Sequence, residues 1–221
     1  MTEVDLSRLG ARAVLDVRGQ SRLVGSLWRN QPAVLIWLRH FACLFCKEQA
    51  SEMRTHKGAI EDLGGRLAFV GSGTTAQAQN FRDHYVPGCA VFTDPSSYTY
   101  RAIGAREGMS TTVAGFAVHS ARAMRHGHFQ ASVHRRAFQQ GGVLVAYPGN
   151  LIAFAYISKV AGDHPPVSKV LEALRRGPRE SWTRARDAAG SEVTANSMSR
   201  PWPVRRSAAF ASGPPPSPDE F

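Results

Sequence analysis

The sequence predicts an α/β fold: a central mixed sheet flanked by helices, with a helical insertion before a C-terminal β-hairpin and a disordered C-terminal tail. Three observations carry this reading. Short continuous apolar runs alternate with segments of helical periodicity, as in buried parallel strands joined by crossover helices. Two further apolar runs flank a Pro-Gly pair and read as a hairpin. From Gly177 onward the composition turns to Pro, Ser, Ala and Arg with almost no aliphatic residues, too little apolar area to offset the entropy of ordering. The chain thus divides into a domain over residues 1–177 and a disordered tail over 178–221.

In order, AVLIWL (33–38) is rich in β-formers and bounded as a buried strand should be. A helix follows, with Cys46, Ala50, Met53 and Ile60 spaced for one face, and stops at Gly64-Gly65. RLAFVGS (66–72) is the second strand, and Thr74 or Thr75 caps a helix over AQAQNFRDHY. Pro87-Gly88 breaks the chain before the strand CAVFTD (89–94), and SSYTYRAIG (96–104) is a further helical stretch. Residues 105–140 carry two helical patches and several basic residues. GGVLVAYPGNLIAFAYI supplies the hairpin, turning at Tyr147-Pro148-Gly149-Asn150, and PPVSKVLEALRR a closing helix with proline in its first turn and Gly177 at its end. Right-handed crossovers make the first three strands parallel, so their C-terminal ends share one edge, where sites in such sheets lie.

Composition excludes several classes. The longest apolar run, LIAFAYI, has 7 residues, against the roughly 18 of a spanning helix. The N-terminus carries early acidic residues and no apolar leader core, so a cytoplasmic protein without membrane contact is expected. The net charge of +10 is almost wholly arginine, without a tight basic block or nucleic-acid motif, so no nucleic-acid partner is expected and the basic surface reads as solvated. Three cysteines cannot all pair within one chain, and a reducing compartment favours catalytic or metal use over stapling.

Cys43-Leu44-Phe45-Cys46 falls at the first strand-to-helix junction, on the site edge. A helix N-terminus offers unsatisfied N–H groups and a positive dipole end, which favour thiolate over thiol. The reading puts Cys43 at the cap, exposed, and Cys46 one turn inside, more buried and within reach of an oxidised Cys43. Arg39, four residues before Cys43, is either a second cation for that thiolate or a solvated strand end. Two other readings of the pair stand beside the redox one: two core cysteines, or half of a zinc site completed by His126 and His128, whose spacing departs from structural zinc patterns. Cys89 precedes its strand and is expected at the far end of the sheet as a small buried hydrophobe. His119, His126, His128 and His134 read as surface residues of the insertion. His164 follows a strand that ends on the site edge and is either a site residue or part of a turn. Asp94 ends a strand on that edge too, and Asp before Pro is equally a turn signal.

Four segments, VLIWLRHFACLFCKEQ, VFTDPSSYTYRAIG, QQGGVLVAYPG and AGDHPP, resemble in this order the peroxiredoxin-like branch of the AhpC/TSA (alkyl hydroperoxide reductase and thiol-specific antioxidant) family, which has a thioredoxin-like fold. The resemblance covers most of residues 12–176 and implies a redox-active thiol at Cys43 with Cys46 as its partner. It implies reduction of peroxides, disulfides or lipid-derived endoperoxides, an external thiol reductant such as a thioredoxin or glutathione system, and no bound cofactor or metal. Mainstream peroxiredoxins carry Pro-x-x-x-Thr-x-x-Cys, and here those places hold Ile36 and His40, so the peroxide-activating hydroxyl is missing. Gly141-Gly142 stands where thioredoxins carry a cis-proline, and Ala42 and Leu44 where this branch often shows Gly and Pro. The rival expectation is a non-catalytic redox sensor or binding module that keeps fold and CxxC.

The tail generates a first prediction. A chain ending at Gly177 should keep the thermal midpoint and thiol reactivity of the full chain, read by calorimetry and alkylation; a midpoint several degrees lower would show that the tail docks on the domain.

Overall fold

The computed structural model describes residues 4–105 and 139–178. The histidine-bearing part of the insertion and nearly all of the 178–221 tail lie outside the described residues, so the expectations for them are not addressed.

The chain opens with α1 (Leu6–Gly10), whose N–H groups at Ser7 and Arg8 donate to the Asp5 carboxylate, and a short hairpin of β1 (Ala13–Asp16) and β2 (Ser21–Leu23). A 3-10 turn over Val24–Leu27 leads to β3 (Ala33–Trp37). Then come α2 (Leu44–Thr55), α3 (Lys57–Asp62), β4 (Arg66–Gly71), α4 (Thr75–Tyr85), β5 (Ala90–Thr93) and α5 (Tyr98–Ala102). The C-terminal hairpin is β6 (Gly142–Tyr147) and β7 (Leu151–Ile157), closed by α6 (Val167–Arg176). One sheet holds all seven strands in the order β2-β1-β5-β4-β3-β6-β7. β3, β4 and β5 are parallel as expected, and β6 runs antiparallel to both β3 and β7. β7 is therefore parallel to β3 and ends on the same edge.

Two elements differ from the sequence reading. The N-terminal hairpin is an addition to the expected strands: Asp16 Oδ1 accepts from the N–H groups of Arg18 and Gln20, and Gly19 takes a left-handed φ of 77°, so one carboxylate and one glycine close a turn between two very short strands. The helix expected to run unbroken to Gly64 instead stops at Thr55 and restarts at Lys57. The Thr55 hydroxyl and the His56 ring both bond the Glu52 carbonyl, side chains taking the place of backbone donors at the helix end. The break still leaves Ile60 fully buried. Thr74 caps α4 in a full capping box with Gln77.

The central strand β3 is buried on both faces, which is why it reads as a continuous apolar run. Val34, Ile36 and Leu38 face α2, α3, α4 and α6 across a core with Phe69, Ala50, Met53 and Val170. Ala33, Leu35 and Trp37 face α1 and α5 across a second core with Leu9, Trp28, Val70 and Tyr100. Each large side chain so buried contributes about 1.5–3 kcal/mol.

Close backbone approaches fix the site edge. A Cβ on Gly141 would lie 2.5 Å from the Trp37 carbonyl oxygen, and one on Gly71 would lie 2.4 Å from the Phe41 ring. Phe41 also stacks obliquely on Phe81, with ring centroids 5.4 Å apart, so it has little room to retreat. Gly71→Ala should therefore cost about 1–3 kcal/mol in urea unfolding through overpacking, and Phe41→Leu in the same chain should recover part of that loss. A neutral Gly71→Ala would mean that the ring moves freely.

Candidate active site

At the C-terminal end of β3 the chain makes a tight turn, with the Cys43 N–H donating to the His40 carbonyl at 3.1 Å. Cys43 then takes the N-cap position of α2, in extended conformation (φ −69°, ψ 123°). Its side chain makes no capping hydrogen bond, but the nearby N–H groups of Cys46 and Phe45, which a helix start leaves without carbonyl partners, favour a negative charge on its sulfur. Cys46 sits one turn inside, and its Sγ receives the Arg39 N–H at 3.2 Å. The two thiols interact directly and are not joined as a disulfide.

This arrangement drives the two thiols apart electrostatically. Cys43 is lowered from the ordinary 9.0 to about 7, first by the hydrogen bond from Cys46, then by the Arg39 cation and the helix N–H groups, against an opposing effect of burial. Cys46 is raised well above the ordinary value by burial, and further by its hydrogen bond to Cys43 and the charge there. Arg39 is the cation beside the pair, and its Nε–H donates to the Gln139 carbonyl at 3.0 Å. The Ser72 hydroxyl holds the Arg39 carbonyl at 2.8 Å.

The expected contrast in exposure is corrected. Cys43 is 3% exposed and Cys46 4%, so neither thiol is open and Cys43 is not the exposed one. The reason is packing: Phe41, Leu44 and Phe45 carry both cysteines into the α2 side of the core. A shallow cleft reaches the pair from the side of Cys46. Trp37, Phe45 and Val160 form apolar parts of its wall, and Arg39, Gln49, Ser158, Asp163 and His164 the polar parts. His164, at the end of the loop after β7, is thus brought to the site, with Nε2 3.8 Å from Glu52 Oε2. Gln49 and Ser158 escaped the sequence reading. Gln49 was signalled only by lying one helical turn after Cys46, and Ser158 by nothing local.

Other candidates fall elsewhere. Asp94 is a turn residue: its Oδ2 accepts from the Thr99 N–H and hydroxyl at 2.7 Å, and Thr99 Oγ1 accepts from the Trp37 indole at 3.0 Å. Cys89 lies beyond the N-terminal end of β5, across the sheet, with burial pushing its thiol up to about 11. His40, where mainstream peroxiredoxins place threonine, is buried and brings no hydroxyl. Among the described residues no cluster of three or more His, Cys, Asp or Glu is disposed to hold a metal, while His126 and His128 lie outside them.

A dithiol of divergent acidity at a strand-to-helix junction, on the edge where parallel strands end, defines a thiol oxidoreductase site of thioredoxin-like architecture. The family model described as AhpC/TSA antioxidant enzyme matches residues 52–160, a range that begins after Cys46. A chloroplastic thioredoxin-like protein from Arabidopsis thaliana is 32% identical over 173 residues, covering 72% of this chain and 68% of that one. Prostamide/prostaglandin F synthase from Sus scrofa is 29% identical, covering 79% of this chain and 89% of that one. Among solved structures, the peroxidoxin BcpB of Mycobacterium tuberculosis superposes with a TM-score of 0.57 at 13% identity, over 76% of this chain and 94% of that one, which speaks to the fold alone. The chain belongs to the peroxiredoxin-like AhpC/TSA family and is a thiol-dependent oxidoreductase of thioredoxin-like fold.

The shifted acidities give a pH prediction. A thiol lowered to about 7 is half ionised there, so Cys43 alkylation should rise through pH 7 and level off about two units sooner than a thiol at 9.0. Cys46, shifted the other way, should react later, and Arg39→Gln should move the Cys43 midpoint upward. Peptide mapping after brief treatment with a small alkylating reagent reads the order; faster labelling of Cys46 would reverse the assignment.

Proposed function

We propose that Cys43 is the attacking thiolate and Cys46 the resolving thiol of this enzyme, with Arg39 stabilising the Cys43 charge. The observation that carries the reading is the opposite displacement of two directly interacting thiols at one helix N-terminus. Cys43 sulfur attacks a peroxide oxygen, the O–O bond breaks, and the departing alkoxide takes a proton to leave as the alcohol. The resulting sulfenic acid on Cys43 is attacked by Cys46, which forms the intramolecular disulfide and releases water. With a disulfide substrate the same attack gives a mixed disulfide, and Cys46 expels the second substrate thiol. An external dithiol or two thiols, as a thioredoxin or glutathione system supplies, return both cysteines to the reduced state and become a disulfide themselves.

The similarity to prostamide/prostaglandin F synthase supports a lipid-derived peroxide as one substrate. A cytoplasmic setting suits a pair held reduced between turnovers. No helix among the described residues is long and apolar enough to cross a membrane.

Cys43→Ser should abolish reduction of peroxides and disulfides alike. Cys46→Ser should keep the first attack and then stall, accumulating a sulfenic acid or a mixed disulfide visible by mass spectrometry. Cys89→Ala should leave CxxC oxidation unchanged, its thiol lying across the sheet. Full turnover by Cys43→Ser would overturn the assignment, and a protein that oxidises once without turnover under any thiol reductant would be a sensor instead.

A further inference from the structure

The proposed cycle requires a proton to leave Cys46 in the resolving step. Cys46 must lose its proton to attack an oxidised Cys43, yet burial and the neighbouring sulfur both favour the protonated thiol. A base near Cys46 would remove that difficulty, and general acid–base assistance of this kind is worth roughly 10²–10⁴-fold.

The titratable side chains lining the cleft at Cys46 are Arg39, Asp163 and His164. Arg39 stays protonated and cannot accept. Asp163 is already engaged on both oxygens, one by the Tyr156 hydroxyl and the other by the Lys159 N–H at 2.7 Å. Tyr156 is itself pushed up to about 12, first by that hydrogen bond to Asp163, so it is no base at neutral pH. His164 is the group whose side-chain type exchanges protons in the neutral range. The groups beside it are Glu52 and Cys46 from α2, Arg39 from just beyond β3, and Asp163 from its own loop. Glu52 Oε2 lies 3.8 Å from Nε2, close enough to orient the ring. The loop that carries His164 is tied to the sheet edge by the Ser158 N–H on the Gly141 carbonyl at 3.0 Å, so its place relative to Cys46 is set by the strands.

We infer that His164 is the proton-transfer residue of the resolving step, taking the Cys46 proton directly or through one water in the cleft and returning it to the leaving group. This rests on Cys46 being the resolving thiol. In the balanced step the Cys46 S–H proton passes to the imidazole, the Cys46 sulfur bonds to the Cys43 sulfur of the sulfenic acid, and the S–O bond breaks. The departing hydroxide takes the proton from the imidazolium and leaves as water. With a mixed disulfide on Cys43, the departing substrate thiolate takes that proton instead. In either case His164 ends as it began, and the oxidant is the peroxide or disulfide already consumed by Cys43.

The test separates the two chemical steps. Full-length protein is mixed in stopped flow with hydrogen peroxide, Cys43 oxidation being followed by sulfenic-acid trapping and closure of the disulfide by quenched mass spectrometry. In the wild type, closure should rise with pH through the imidazole range. His164→Gln should slow closure at least tenfold more than it slows the first oxidation, and should flatten that rise. His164→Ala should behave alike and be partly restored by added imidazole, which an effect on folding would not be. Glu52→Gln should shift the inflection to lower pH. Equal slowing of both steps, or closure in His164→Gln with rate and pH profile unchanged, overturns the inference. Cys46→Ser run in parallel distinguishes its failure from that of the parent reading: if that variant still closes an intramolecular disulfide with Cys43, Cys46 is not the resolving thiol.

Discussion

The acidity of Cys43 depends on its place at the start of α2, which sets Cys46 one turn away and brings Arg39 and the first helix N–H groups near its sulfur. A helix N-terminus needs an acceptor for its first N–H groups, and the residue placed to supply one is a cysteine where Ser, Thr, Asp or Asn is the usual choice. A neutral thiol is a weak acceptor and a thiolate a strong one. An ionised sulfur would suit those N–H groups better, and they add to the larger effects of the Cys46 thiol and the Arg39 cation in lowering its acidity constant. Cys46 contributes from inside the first turn: donating its proton to Cys43 favours a charge on Cys43 and disfavours one on itself. One turn of helix thus assigns opposite tendencies to two identical side chains.

The surroundings keep that interaction dry and fixed. Tyr100 donates its hydroxyl to the Leu38 carbonyl at 2.5 Å, tying the end of β3 down just before Arg39. Gly71 gives up its side-chain volume to Phe41, and Gly141 gives up its own to the Trp37 backbone, so β4 and β6 close tightly on the junction from both sides. The departures from mainstream peroxiredoxins fit this packing. The threonine position is filled by a buried imidazole, and the segment before β6 needs a residue without Cβ beside the Trp37 carbonyl. In the proposed cycle, stabilisation of the Cys43 thiolate by Cys46, Arg39 and the helix N–H groups stands in for the threonine hydroxyl.

The parts of the fold legible in the sequence were those with strong local signals. β3, β4 and β5 announce themselves as apolar runs, the hairpin by Pro148-Gly149, and α4 by Thr74 with Gln77. The β1–β2 hairpin did not, because its strands are short and half exposed and its turn is held by a side chain, Asp16, which hydropathy does not register. The CxxC junction and the remote Cys89 followed from strand order alone. The burial of Cys43 did not, since it depends on Phe41, Phe81 and other residues that meet only after folding. Nor did the cleft, which joins α2 to the loop after β7 across more than a hundred residues of sequence.

The asymmetry of the site has a consequence for the reductive half of the proposed cycle. In thiol–disulfide exchange the sulfur of lower acidity constant is the better leaving group, and the sulfur attacked must be reachable. Both criteria select the same direction here. Cys43 is the better leaving group, and Cys46 is the cysteine that lines the cleft. A reductant thiol entering there meets Cys46 and displaces Cys43 as the thiolate, which α2 and Arg39 already stabilise. The sulfur that leaves in reduction is then the one that attacks in oxidation, and the cap that favours its charge assists both halves of the cycle.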